Sequence, residues 1–151
     1  MNALMKLSAV LLLSIFLPGC GSDSGVSCGT VVGGAGTPSV AFSSVPALGS
    51  TDPLKGQVLH VAPSGFYLAV YIYVPGSGGW WIKPYADDPR TQLACDGTFS
   101  TDITTGGDDT QATILTAFLL PNDYAPPVLL GAESLPTELY STAVATVSAT
   151  R

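Results

Sequence analysis

Residues 67–85 (YLAVYIYVPGSGGWWIKPY) constrain the fold more than any other stretch, because their pattern fits an extended strand turning back on itself. In a strand, successive side chains alternate faces, so Leu68, Val70, Ile72 and Val74 share one side while Tyr67, Ala69, Tyr71 and Tyr73 share the other. The first side is an aliphatic core stripe. The second is a row of phenols, apolar in body and polar at the tip, suited to solvent, a neighbouring strand or a ligand. The Pro- and Gly-rich turn at 75–79 returns the chain into residues 80–83, which pair most simply as the second arm of a hairpin.

The rest of the chain repeats this theme. Residues 39–45, 57–62, 98–104 and 112–120 each read as a short strand bounded by Gly, Pro or Asp. ATILTAFLL at 112–120 is apolar on both faces, which marks a central strand. Residues 138–150, rich in Thr, Val and Ala, read as a last strand in preference to a helix. No stretch of three turns carries helical periodicity with caps. The expected fold is therefore all-β, an antiparallel sandwich of immunoglobulin-like type with seven to eight strands over residues 37–151, a barrel being the alternative closure. The connection at 121–136 (PNDYAPPVLLGAESLP) is long and holds four prolines. It is either a docking loop or a crossover that packs Val128, Leu129, Leu130 and Leu135 over an open end of the sandwich.

The N-terminus is read as a targeting segment. Lys6 precedes an apolar run at 7–17, too short to span a bilayer comfortably, and Leu17, Pro18, Gly19 and Cys20 follow. This resembles a bacterial lipobox. The resemblance implies a signal peptide at 1–19, lipidation (diacylglycerol and palmitate) of Cys20, and a lipoprotein held on a membrane by its acyl chains. Gly21 stands where Asp is the usual inner-membrane retention signal, which favours the outer membrane, on its periplasmic or exposed side. Residues 20–36, rich in Gly and Ser, read as a flexible tether.

Loss of Lys6 leaves four bases against eleven acids, a net charge of −7. A nucleic-acid partner is disfavoured, because phosphate binding needs a basic face. Once Cys20 is acylated, Cys28 and Cys95 remain as an even pair in an oxidising compartment, which favours a disulfide over two isolated thiols. Closing a loop of about 67 residues stabilises a fold by roughly 4 kcal/mol in the chain-entropy picture.

Catalysis has little to build on. The sole histidine, His60, falls inside an expected strand with no nucleophile motif near it, and one His with two paired Cys does not make a zinc site. No cofactor is expected; calcium is the more plausible ion, through Asp102, Asp108 and Asp109 around Thr104-Thr105-Gly106-Gly107, although stabilising tight turns is the commoner role of Asp and Thr. The aromatic set is the stronger candidate. Trp80 and Trp81 are adjacent, so only one can face a core; Tyr71, Tyr73, Tyr85 and the outward Trp could form a platform for a sugar ring, with Lys83, Asp87 and Arg90 bonding its hydroxyls. The competing view is that the tyrosines merely shield the sheet. An open tyrosine face favours binding, and a covered one favours a structural role.

The blocks GQVLHV, YLAVYIYV, WWIKPY, DGTFSTDITTGG, ATILTAFLLP, YAPP and SLPTEL, spanning about residues 56–151, are together similar to an uncharacterised β-sandwich module of secreted bacterial proteins. That module sometimes stands beside glycoside hydrolase or other cell-surface domains. The resemblance implies the fold and a location in the envelope; the residues themselves support a non-catalytic module that binds carbohydrate or another envelope polymer through Trp80 or Trp81 with Tyr71, Tyr73 and Tyr85, or a structural and assembly lipoprotein that presents sheet edges or the Pro-rich loop to an envelope protein.

Overall fold

A computed structural model of the chain describes residues 28–151; the leader, Cys20 and the first part of the tether lie outside the described residues. Two antiparallel sheets face each other. The smaller holds β1 (Ser39–Ser44), β2 (Leu54–Leu59) and β5 (Thr98–Thr101) in the order β1-β2-β5. The larger holds β3 (Phe66–Val74), β4 (Gly79–Lys83), β6 (Ile114–Pro121), β7 (Leu130–Ala132) and β8 (Ala145–Thr150) in the order β7-β4-β3-β6-β8. The fold is an all-β sandwich, and the aliphatic stripe of residues 67–74 is its inner face. Leu68, Val70, Ile72 and Val74 pack with Leu115, Ala117 and Leu119 of β6 against Val40, Leu54, Val58 and Phe99 of the smaller sheet.

Close packing across the sheets fixes small residues as firmly as large ones. Gly56 of β2 sits opposite Phe99 of β5, and a methyl group there would run into the Phe99 ring and the Ala41 carbonyl. The absent side chain is what admits the ring.

The larger sheet has a second core on its outer face, where the phenols lie. Tyr67, Ala69, Tyr71, Ile82, Phe118 and Leu120 are covered by Tyr124, Leu129 and Leu135 of the Pro-rich connection and by Leu139. The crossover thus packs over a sheet face, not over an open end of the sandwich, and only part of its apolar set is used: Val128 and Leu130 stay exposed. Prolines explain why the segment crosses the sheet instead of joining it over most of its length. Pro126 and Pro127 have no N–H to donate to a ladder, so their neighbourhood presents carbonyls that need donors. The phenols supply them: Tyr67 donates to the Tyr124 carbonyl at 2.9 Å and Tyr71 to that of Pro127 at 2.8 Å. Arg90 donates to the Asn122 and Tyr124 carbonyls while its guanidinium stacks 4.5 Å above the Tyr67 ring.

Three expectations change in detail. The last strand begins at Ala145, because residues 137–142 form a short helix, α1 (Thr137–Thr142), that drops Leu139 into the outer core. Residues 130–132, expected to be loop, form β7 against β4. His60 lies just beyond β2 with φ at 63°, outside the strand interior expected for it. Its Nδ1 faces the Gly34 carbonyl at 3.1 Å, which can only accept, so that nitrogen carries the proton.

Cys28 and Cys95 are joined as a disulfide. From Cys28 onward the expected tether is bonded to the sandwich: Val32 donates to the Val61 carbonyl, His60 to that of Val32, and Ser64 to that of Cys28. Gly36 lies so close to the His60 ring that a Cβ there would come within 2.6 Å of it. No helix among the described residues is long and apolar enough to cross a membrane.

Candidate functional site

The β3–β4 register decides where the aromatic residues go. Trp80 is paired with Tyr73 and Trp81 with Ile72, so the two tryptophans leave on opposite faces of the larger sheet. Trp80 joins the tyrosine side, its ring edge-on to Tyr73 at 5.4 Å between centroids, and packs against the outer core. Trp81 points to the inner side at the margin of the sheet, half-buried, and its Nε1 donates to the Ser77 carbonyl at 3.3 Å. Gly131, with φ at 93°, presses on the indole; a Cβ there would sit 3.3 Å from Trp81 Cζ2. Only glycine fits a position that is both left-handed and this close.

The same alternation puts Lys83 opposite Val70, on the inner face, where an unpaired ammonium would be costly. Lys83 is buried and bonds the Asp109 carboxylate, with a second bond to Thr105 Oγ1 at 3.1 Å. Asp109 Oδ2 also accepts from the backbone N–H groups of Thr105 and Gly106, both at 2.9 Å. The Thr105 hydroxyl in turn donates to the Pro84 carbonyl at 2.7 Å. The carboxylate is thereby the hub that ties the 102–111 loop to β4. Arg151 adds the C-terminus, donating to the Asp109 carbonyl at 2.9 Å, and burial pushes its guanidinium pKa down against the opposing pull of Asp109.

Above this ion pair lies a cleft of about 310 Å³. Trp81, Lys83, Pro84 and Tyr85 form one side, the Thr105–Asp109 loop the other, and Ser77 and Leu130 close the rim. Tyr85 is 52% exposed and Leu130 63% exposed, so the rim is apolar and open. Asp108 is exposed and holds the Ser77 hydroxyl at 2.8 Å. Open aromatic surface beside a few polar groups is the composition of a small-molecule site, at the lower end of the usual size of roughly 300–1,000 Å³.

The expected platform is therefore divided. Trp81, Lys83 and Tyr85 come together at the cleft; Tyr71, Tyr73 and Trp80 lie on the other face of the sheet, and Tyr71 is fully buried under the proline strap. Burial also pushes the phenol pKa values of Tyr67 and Tyr71 up. Lys83 is almost wholly buried, with two of its three N–H donors given to Asp109 and Thr105, so it is not the open hydroxyl-binding group expected of it. The calcium candidates are separated as well: Asp109 is committed to Lys83, Asp108 to Ser77, and Asp102 lies exposed on the groove beside Arg90 and Gln92. Among the described residues no three of His, Cys, Asp and Glu converge.

Ser77, Gly107 and Leu130 were not anticipated as lining. Alternation by itself did not place the ion pair: Lys83 reaches the core side only through the β3–β4 register, which sets it opposite Val70, and a lysine there requires an acid. Compared with known proteins, the chain matches no family model, no curated protein and no solved structure.

Proposed function

We propose that this chain is a non-catalytic, lipid-anchored module of the bacterial cell envelope, an immunoglobulin-like accessory fold that binds a carbohydrate or similar polymer in the cleft edged by Trp81 and Tyr85. The observation that carries this reading is the open aromatic rim, half-buried Trp81 and exposed Tyr85, over a floor already internally bonded. The hydrocarbon face of a sugar ring stacks on such a rim, while Asp108 and Ser77 take its hydroxyls. Acyl chains on Cys20 would hold the domain at the outer membrane, within reach of envelope polymers.

Polysaccharide pull-down with single alanine variants tests the binding half. Trp81→Ala and Tyr85→Ala are expected to abolish capture, and Trp80→Ala to leave it intact, since Trp80 packs on the other face. Capture that survives both cleft substitutions refutes the assignment. The anchor is tested by labelled palmitate, which is expected on the native chain and absent from Cys20→Ser.

A second reading, a structural or assembly lipoprotein, is favoured by one observation: the tyrosine face is covered, while Leu130 on the edge strand β7 and Val128 beside it are exposed. Exposed edges pair readily with other chains. Crosslinking on cells would then recover an envelope protein bound through residues 128–132; recovery of monomer alone removes this reading.

A further inference from the structure

We infer that the cleft selects a non-anionic, hydroxyl-rich saccharide and rejects polymers bearing phosphate, sulfate or carboxylate groups; this deepens the polymer-binding reading and rests on it. The argument is an account of cations. The described residues hold four. Lys83 lines the cleft with a side chain that is almost wholly buried, its charge paired with Asp109 and a second N–H given to Thr105. Arg90 is spent on the Asn122 and Tyr124 carbonyls and stacks on Tyr67. Arg151 donates to the Ala112 and Asp109 carbonyls at 2.7 and 2.9 Å. Lys55 lies on the smaller sheet, in a groove with Ser43, Gln92 and Ser100. Among the described residues, Lys83 is the one cationic side chain lining the cleft, and its charge is already paired with the Asp109 carboxylate.

Of the polar side chains at the mouth, the Tyr85 hydroxyl can donate or accept, while Asp108 and Ser77 accept. Asp108 holds the Ser77 hydroxyl on Oδ2 and keeps its other carboxylate oxygen for a donor; Ser77, having given its proton, offers lone pairs. The Trp81 N–H is already bonded to the Ser77 carbonyl, so the indole contributes apolar surface and no donor. A ligand satisfying these groups presents O–H bonds around an apolar ring face. The sulfate, phosphate or carboxylate groups of an anionic polymer offer acceptors to acceptors. It also meets the Asp108 charge and a chain of formal charge −6.

Affinity electrophoresis of the full chain in non-ionic detergent, against matched polymers of one backbone, tests this. Suitable pairs are dextran with dextran sulfate and hydroxyethylcellulose with carboxymethylcellulose. At low ionic strength a neutral member is expected to retard the chain and its anionic partner to bind at least about tenfold more weakly, with the gap shrinking as salt screens the charges. Trp81→Ala is expected to abolish retardation, and Asp108→Asn to narrow the gap by roughly three- to tenfold. Anionic binding as tight as neutral binding, and weakened by Trp81→Ala, overturns the charge inference while leaving polymer binding in place. Neutral binding indifferent to Trp81→Ala overturns the assignment to this cleft. Retardation by none of the polymers overturns the polymer-binding reading itself.

Discussion

The outer face of the larger sheet and the cleft at its β4 margin both take aromatic residues from one run of nineteen, 67–85, yet use them in opposite ways. On the outer face, Tyr67 and Tyr71 belong to β3, an interior strand flanked by β4 and β6. Their rings fill a core and their hydroxyls satisfy carbonyls of a segment too proline-rich to satisfy its own. At the margin, Trp81 and Tyr85 have a single short strand beside them, and no strap reaches over. Position within the sheet, more than residue type, separates aromatic side chains that hold the fold from those that can meet a partner.

The sharpest way to break this contrast is to remove the charge under the cleft. Lys83→Met or Asp109→Ala leaves one buried ion unpaired, and Asp109→Ala also frees two backbone N–H groups. Each is expected to cost about 3–5 kcal/mol in urea unfolding, with the Lys83→Met/Asp109→Asn double variant, whose amide oxygen still accepts from both N–H groups, recovering much of the loss. Equal loss in the double variant would mean that the pair does not act as a unit.

Next in size are the strap bonds, which the structure ranks. Tyr71→Phe strips the Pro127 carbonyl of its phenol donor and is expected to cost about 1–3 kcal/mol. Tyr67→Phe is expected to cost less, about 1 kcal/mol or under, because Arg90 still donates to the Tyr124 carbonyl. A reversed order in chemical denaturation would contradict the strap geometry.

The same phenols give a pH dependence. Desolvation raises both pKa values in the folded chain above the unfolded value of about 10. Below that value both states keep the proton and stability is unaffected. Above it the unfolded chain ionises first and binds fewer protons, so stability falls as pH rises toward the folded pKa values. Unfolding midpoints measured across the alkaline range are expected to drop, and to drop less steeply in Tyr71→Phe. Tyr85→Ala, at the open rim, should move stability by no more than about 0.5 kcal/mol while removing polymer capture.

How much of this was legible in the sequence follows the same division. Alternation over 67–74 located β3 and both of its faces, and the cysteine count led to Cys28–Cys95. Alternation says which residues share a face, but not what covers that face. The partner of Tyr71 lies 56 residues away, in a stretch whose local text reads only as proline-rich loop. Likewise, Thr137–Thr142 is too short to display helical periodicity and becomes a helix because the outer core accepts Leu139. At the site, Trp81 and Tyr85 were within reach as aromatic residues near a turn. The Lys83–Asp109 pair was not paired in advance, because both residues were read as facing ligand or ion, and their meeting depends on how a 26-residue connection closes.

Hydroxyl-radical footprinting of the native chain, read residue by residue, tests most directly whether the aromatic set is divided between a closed face and an open margin. Tyr85 should be oxidised readily and Trp81 at an intermediate rate, while Tyr67 and Tyr71 stay protected until the chain unfolds. Oxidation of Tyr71 in the native chain at the rate of Tyr85 would contradict the account.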